Sequence, residues 1–379
     1  MHDDICDQNG GIDRCPSTPH RSVLGLLRAA LGHPVGPGMI DDLGASTPED
    51  IVRIATFNYV HVVVATAFDR VPELGRTVPD DMAIYFREMQ AANLRRNEAI
   101  LDELRSVGAA LVEVGIRGVA LKGAAELLDP VFPEPAFRFL SDIDILVPEG
   151  DIERAAARLR ALGAMPTEIS DVDRGSHHHL EPLLHPDWPV PVELHRSLGQ
   201  GELHNFLAPE VVFATACTTR VPGLMVPSRA HRLAHAVQHA QLQPPRYRDG
   251  VLSLRDAVEM EVMAAGLEPD EVTAARACFR GEWGAAWEAL AAARALIFGD
   301  AAQIAAAPPA ARRWAEIAVD RFGRPGQRRF VALGQWVGWY AKEFFVNPAR
   351  RRHYLGQLKR PSRILQKLAE HRDRWFRTR

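Results

Sequence analysis

The sequence predicts an α+β protein in which helical regions flank a small mixed α/β unit. Three observations carry this reading. Apolar residues recur at helical spacing through most of residues 21–115, short β-branched runs appear between 116 and 200, and Ala-rich helical patterns return from Val226 onward. With 379 residues, 47% hydrophobic and 25% charged, the chain is long enough for two or three cored domains and is neither disordered nor fibrous.

Residues 1–20 are polar, carry Gly-Gly and two prolines, and read as a flexible arm. Residues 21–33 have helical spacing. Thr47-Pro48-Glu49-Asp50 is a helix start, with a Thr cap, Pro at the first helical position and acids in the first turn, and the helix is expected to run to Phe68. The next begins near Pro79 and reaches Val114, with a break expected near Gly108.

At Gly115 the pattern changes. A turn leads into the short apolar run Val119-Ala120-Leu121, and a proline-rich loop covers 128–137. Residues 141–147 (SDIDILV) read as a strand, followed by an amphipathic helix ending at Gly163. Residues 177–184 and 190–194 read as two more strands joined by a turn at His185-Pro186-Asp187. Helices then follow from Ser228, from Leu252, across 272–296 and 301–320, and across the aromatic-rich 330–345. The expected regions are an arm (1–20), an N-terminal helical region (21–115), an α/β core (116–225), a C-terminal helical domain (226–349) and a basic tail (350–379).

Net charge is −3, so no global charge drives the chain onto nucleic acid or lipid. The tail holds 11 Lys+Arg against Glu370 and Asp373, a balance of +9, which leaves −12 for the rest. A solvated terminal helix is the favoured reading of this tail, with at most weak nucleic-acid contact through it. The longest apolar run, 54–68, is shorter than the roughly 20 residues a membrane span needs. The start, MHDDICDQNGG, lacks a basic and an apolar segment, so a cytoplasmic location is expected. Cys6, Cys15, Cys217 and Cys278 are too dispersed for a disulfide framework or a zinc knuckle.

The sharpest chemical feature is Asp142-Ile143-Asp144. In a strand, residues i and i+2 share a face, so two carboxylates stand side by side and raise each other's pKa unless a cation lies between them. A hard divalent ion, Mg²⁺ or Mn²⁺, suits that need. Lys122 and Gly123 sit at a strand-to-helix turn, where backbone N–H groups and an ammonium can meet phosphate. Val192-Glu193-Leu194-His195 adds a third acid with a His two residues on. Paired acids with a third on a neighbouring strand suit two-metal phosphoryl transfer.

The order LKG, then RxxSDIDILV, then VELH resembles the uncharacterised nucleotidyltransferase family of the polymerase-β-type superfamily, over roughly residues 95–260. The resemblance implies a small mixed-sheet core that binds an NTP, ATP for preference, with Mg²⁺ or Mn²⁺. It implies metal ligation by Asp142, Asp144 and Glu193, with Glu193 also helping to activate the acceptor hydroxyl. It implies a phosphate-turn role for Gly123 and matches Arg138 to a family arginine. Lys122 and Arg138 are the expected charge partners of the triphosphate, and His195 is expected beside the nucleotide or the acceptor proton. The acceptor (small molecule, peptide, protein or RNA) is left open.

His177-His178-His179 reads as a polar strand edge near the site, with His178 facing away from the other two. His231, His235 and His239 read as a partly buried helical stripe, and Arg255-Asp256 as an ion pair. Two other functions stay open at this point: a nucleotide-sugar glycosyltransferase using the DxD pair, and a non-catalytic nucleotide-binding or antitoxin-like partner protein.

Overall fold

The computed structural model describes residues 17–36, 38–167, 178–243 and 246–322. The expectations for residues 1–16, for His177, for the 330–345 helix and for the basic tail lie outside the described residues.

Six helices come first: α1 (Thr18–Ala30), α2 (Met39–Gly44), α3 (Pro48–Phe57), α4 (His61–Arg70), α5 (Pro72–Thr77) and α6 (Asp80–Glu113). Thr47 caps α3 by accepting from the Asp50 N–H at 3.2 Å. The single helix expected over 47–68 is two helices. The chain turns at Asn58-Tyr59-Val60, where Tyr59 adopts φ 56°. The break expected at Gly108 is absent. A Cβ there would lie 2.5 Å from the Pro222 carbonyl oxygen, so the glycine serves a close approach and leaves α6 continuous.

The core follows in the order β1 (Gly118–Ala120), α7 (Lys122–Leu128), β2 (Ile143–Leu146), α8 (Ile152–Ala161), β3 (Met165–Pro166), β4 (Leu183–Leu184), β5 (Val192–His195), α9 (Pro209–Ala214), β6 (Cys217–Thr218) and β7 (Leu224–Val226). The seven strands form one mixed sheet ordered β3-β4-β5-β2-β1-β7-β6, parallel at β2–β5 and β1–β7 and antiparallel elsewhere. β3, β6 and β7 are two or three residues long, too short for an alternation signal. The strand expected over 177–184 shrinks to β4 plus one bridge between His179 and His195.

Seven more helices close the described chain: α10 (Arg229–Gln241), α11 (Arg246–Asp249), α12 (Leu254–Ala265), α13 (Pro269–Ala277), α14 (Trp283–Phe298), α15 (Ala301–Ala306) and α16 (Pro309–Phe322). Ser228 and Ser253 cap α10 and α12. No helix among the described residues is long and apolar enough to cross a membrane.

One apolar core lies where α6 and α8 cover the sheet, through Leu104, Leu111, Ile143, Ile145 and Leu159. The other joins the N-terminal helices, the C-terminal helices and Val119, Leu121 and Leu146 of the central strands and turn. The two helical regions also touch directly: Arg28 donates to the Leu296 carbonyl at 3.1 Å, at the carbonyl end of α14. Burying large apolar side chains such as Phe86, Leu27 and Ile100 contributes about 1.5–3 kcal/mol each relative to exposure. This packing holds the central strands β1, β2 and β5 between the two helical layers.

Candidate active site

The parallel pairing of β2 with β5 sets Asp144 directly opposite Glu193 and Leu146 opposite His195. The antiparallel pairing of β1 with β2 sets Ala120 opposite Ile145. The Leu121 N–H extends this ladder by donating to the Asp144 carbonyl at 2.9 Å. Lys122, the first residue of α7, therefore emerges beside Asp144, and its Nζ donates to Asp144 Oδ1 at 2.9 Å. Lys122 holds this position at φ 47°, in the left-handed region that costs a side-chain-bearing residue about 1–2 kcal/mol. Strain of this kind concentrates at functional sites.

Asp144 is 2% exposed and meets a second group on the same oxygen, His195 Nε2 at 2.7 Å. Burial opposes ionisation of Asp144. The Lys122 ammonium and the His195 imidazole outweigh it, and the carboxyl is held well below the usual carboxylate range. Burial likewise pushes His195 and Lys122 down, and the carboxylates around them more than offset it, so both are raised. Glu193 Oε2 lies 3.6 Å from His195 Nε2 and 3.8 Å from His179 Nε2.

Ligand atoms of Asp144, Glu193 and His195 all lie within 4.8 Å of one another. Two atoms bound to one ion at about 2.1 Å stand roughly 3.0 Å apart at a right angle and 3.4 Å apart at a tetrahedral angle. The 2.7 and 3.6 Å separations bracket that range, so the cluster is compact enough to share a divalent cation. Two carboxylates suit Mg²⁺ or Mn²⁺.

Asp142 is outside this compact group. It precedes β2, is half-buried, and feels Asp144 and Glu193 as like charges. Burial and then Asp144 raise its pKa, against the pull of Lys122. It is an acid at the rim of the cluster, coupled to it electrostatically.

The remaining sequence-predicted residues, Gly123 and Arg138, pack against each other next to Lys122. Gly123 has no unusual φ. A Cβ there would sit 2.6 Å from Leu140 Cγ and 3.0 Å from Arg138 Nε, so close packing of α7 under these side chains requires the glycine. Arg138 pairs with Glu259 of α12 and lies over the Phe132 ring at 5.8 Å. A pocket bounded by Lys122, Glu126, Arg138, His235, His239 and Arg255 opens here. His235 and His239 thus belong to the pocket wall. Burial and the Lys122 charge push His235 down to about 3 and His239 well below its usual value, so both imidazoles are neutral donors or acceptors.

Arg232 was not singled out by sequence. It lies buried on α10, donating to Glu126 at 3.0 Å and to Asp129 at 2.7 Å, and so fixes the C-terminal end of the helix that Lys122 begins. Arg255 contacts Asp256 at 3.6 Å, as expected of that pair, and Asp256 also accepts from Arg246 at 2.6 Å. One expectation is corrected. His178 does not turn away from His179: their ring centroids are 4.8 Å apart, and His178 stands 5.0 Å from His195. Residues 178–180 form a bend and a single bridge, so strand alternation does not apply to them.

Comparison with known proteins adds the following. The model of a family described as uncharacterised nucleotidyltransferase matches residues 46–271, more than half of the chain. No curated protein matches the sequence. Among solved structures, the solution structure of the antibiotic-resistance factor ANT(2'')-Ia is similar, at 16% identity and a TM-score of 0.34. That match covers 50% of this chain and 94% of the other.

Proposed function

The chain belongs to the uncharacterised nucleotidyltransferase family, and from that premise we propose that it transfers an NMP, AMP for preference, from an NTP to a hydroxyl acceptor. The observation that carries this reading is the parallel register that sets Asp144 opposite Glu193, with Asp142 two residues upstream and Lys122 on the same carboxylate. In the reaction the acceptor oxygen forms a bond to the α-phosphorus, the α–β phosphoanhydride bond breaks, pyrophosphate leaves, and the hydroxyl proton passes to a base.

Asp144 and Glu193, with Asp142 at the rim, would hold Mg²⁺ or Mn²⁺. Such an ion supplies charge neutralisation at the phosphates and lowers the pKa of a bound hydroxyl. Glu193, less buried than Asp144, is the carboxylate best able to receive the acceptor proton. His195 touches both carboxylates and orients them. Lys122 and Arg138 offset triphosphate charge, and Gly123 lets α7 pack closely against Arg138 beside Lys122.

The test is incubation of the purified chain with α-labelled ATP, Mg²⁺ or Mn²⁺ and a host-cell extract. Label is expected to appear on an acceptor fraction together with unlabelled pyrophosphate. Transfer from a labelled sugar nucleotide instead would contradict the reading.

A further inference from the structure

Among the described residues, two non-glycine side chains hold a left-handed backbone, Lys122 and Tyr59. Lys122 is in the cluster of acids. Tyr59 stands just past the end of α3, where its N–H donates to the Thr56 carbonyl and the Val60 N–H to the Ala55 carbonyl, both at 3.0 Å. Those paired bonds close a helix at a position that glycine or asparagine usually fills. A bulky aromatic is strained there, and burial does not account for it, because Tyr59 is 49% exposed.

The surroundings of the ring connect it to the site. Tyr59 stacks on Phe139 with centroids 5.7 Å apart and planes 28° from parallel. The Arg255 guanidinium lies 5.7 Å from the Tyr59 centroid, and the same Arg255 bounds the pocket shared with Lys122 and Arg138. The Arg96 guanidinium lies 4.7 Å over Phe139 and within the field of the Asp142 carboxylate. The aromatic pair is therefore flanked by two arginines, one at the pocket and one near the rim acid. Stacked aromatics with guanidinium planes suit a flat π-system that carries negative charge nearby, which describes a nucleotide.

We propose that Tyr59, backed by Phe139 and flanked by Arg255, is the ledge on which the base of the incoming nucleotide stacks. This rests on the nucleotidyltransferase reading of the neighbouring acids. It assigns base binding to the helical region before the α/β core. Stacking reads a ring face and not base edges.

The test compares binding of a non-hydrolysable ATP analogue with that of inorganic tripolyphosphate, both to the Mn²⁺-loaded full-length protein by calorimetry. Tyr59→Gly removes the ring and the backbone strain together. It is expected to change the melting temperature little, because the relieved strain offsets the lost ring contacts, to weaken the ATP analogue roughly tenfold to a hundredfold, and to leave tripolyphosphate unchanged. Tyr59→Phe keeps the ring and is expected to bind both ligands within about twofold of wild type. The ledge is overturned if Tyr59→Gly binds the analogue as wild type does, if it loses both ligands in parallel, or if wild type binds tripolyphosphate as tightly as the analogue. Failure of wild type to bind either ligand would instead remove the nucleotidyltransferase reading, and the ledge with it.

Discussion

Asp144→Asn is expected to reduce transfer of α-label by at least about a thousandfold. Asp144 is the carboxylate shared by Lys122 and His195. Lys122 and His195 meet the same oxygen, and Glu193 faces it across the β2–β5 pair. An amide keeps the shape but supplies half the acceptor capacity and none of the charge. The same substitution leaves Lys122 and His195 without their counter-charge in a buried place. The fold is therefore expected to lose about 2–4 kcal/mol as well, less than a fully buried pair because Lys122 is partly exposed. Asp142→Asn separates the two effects. Asp142 lies outside the strand pairing, so transfer should fall while stability changes by less than about 1 kcal/mol. Urea denaturation read beside the label assay checks both substitutions. Wild-type turnover in either variant would contradict the assignment.

Arg232→Met is expected to be the most destabilising single change in the C-terminal helices, costing about 3–5 kcal/mol at pH 8. It strands Glu126, which is 5% exposed. Burial already raises the Glu126 pKa, and Arg232 is the main force opposing that rise. Without Arg232 the folded-state pKa climbs further above the unfolded value. A carboxyl shifted upward contributes its stability at low pH and loses it as pH rises through the folded pKa. The loss in Arg232→Met should therefore be small near pH 5 and full near pH 8, and a second substitution, Glu126→Gln, should remove most of the pH dependence. A loss equal at both pH values, or under about 1 kcal/mol, would show that the pair does not fix α7.

The central acids were legible in the sequence because their placement depends on short-range rules. Asp144 shows as a strand residue from its β-branched neighbours, Glu193 and His195 share a face by spacing, and Lys122 follows directly from a strand end. The features that were not legible depend on what packs against a segment. Gly108 looks like a helix breaker until Pro222 is seen against it. The four-residue spacing of His235 and His239 marks one helix face, but only the fold turns that face toward Lys122. Tyr59 is hidden within an apolar run that reads as one helix, although Asn58 was an available stop signal. His178 defeats the alternation rule because its segment pairs through one bridge and not through a ladder. Arg232 and Glu126 are 106 residues apart, and no local pattern joins them.

β2 and β5 would bring Asp144 and Glu193 together around a divalent cation. The most direct measurement is anomalous diffraction from crystals of the protein equilibrated with Mn²⁺ and a non-hydrolysable ATP analogue. A manganese peak about 2.0–2.6 Å from carboxylate oxygens of both Asp144 and Glu193 is the predicted result. A fully occupied manganese bound elsewhere, or none at millimolar Mn²⁺, would contradict it.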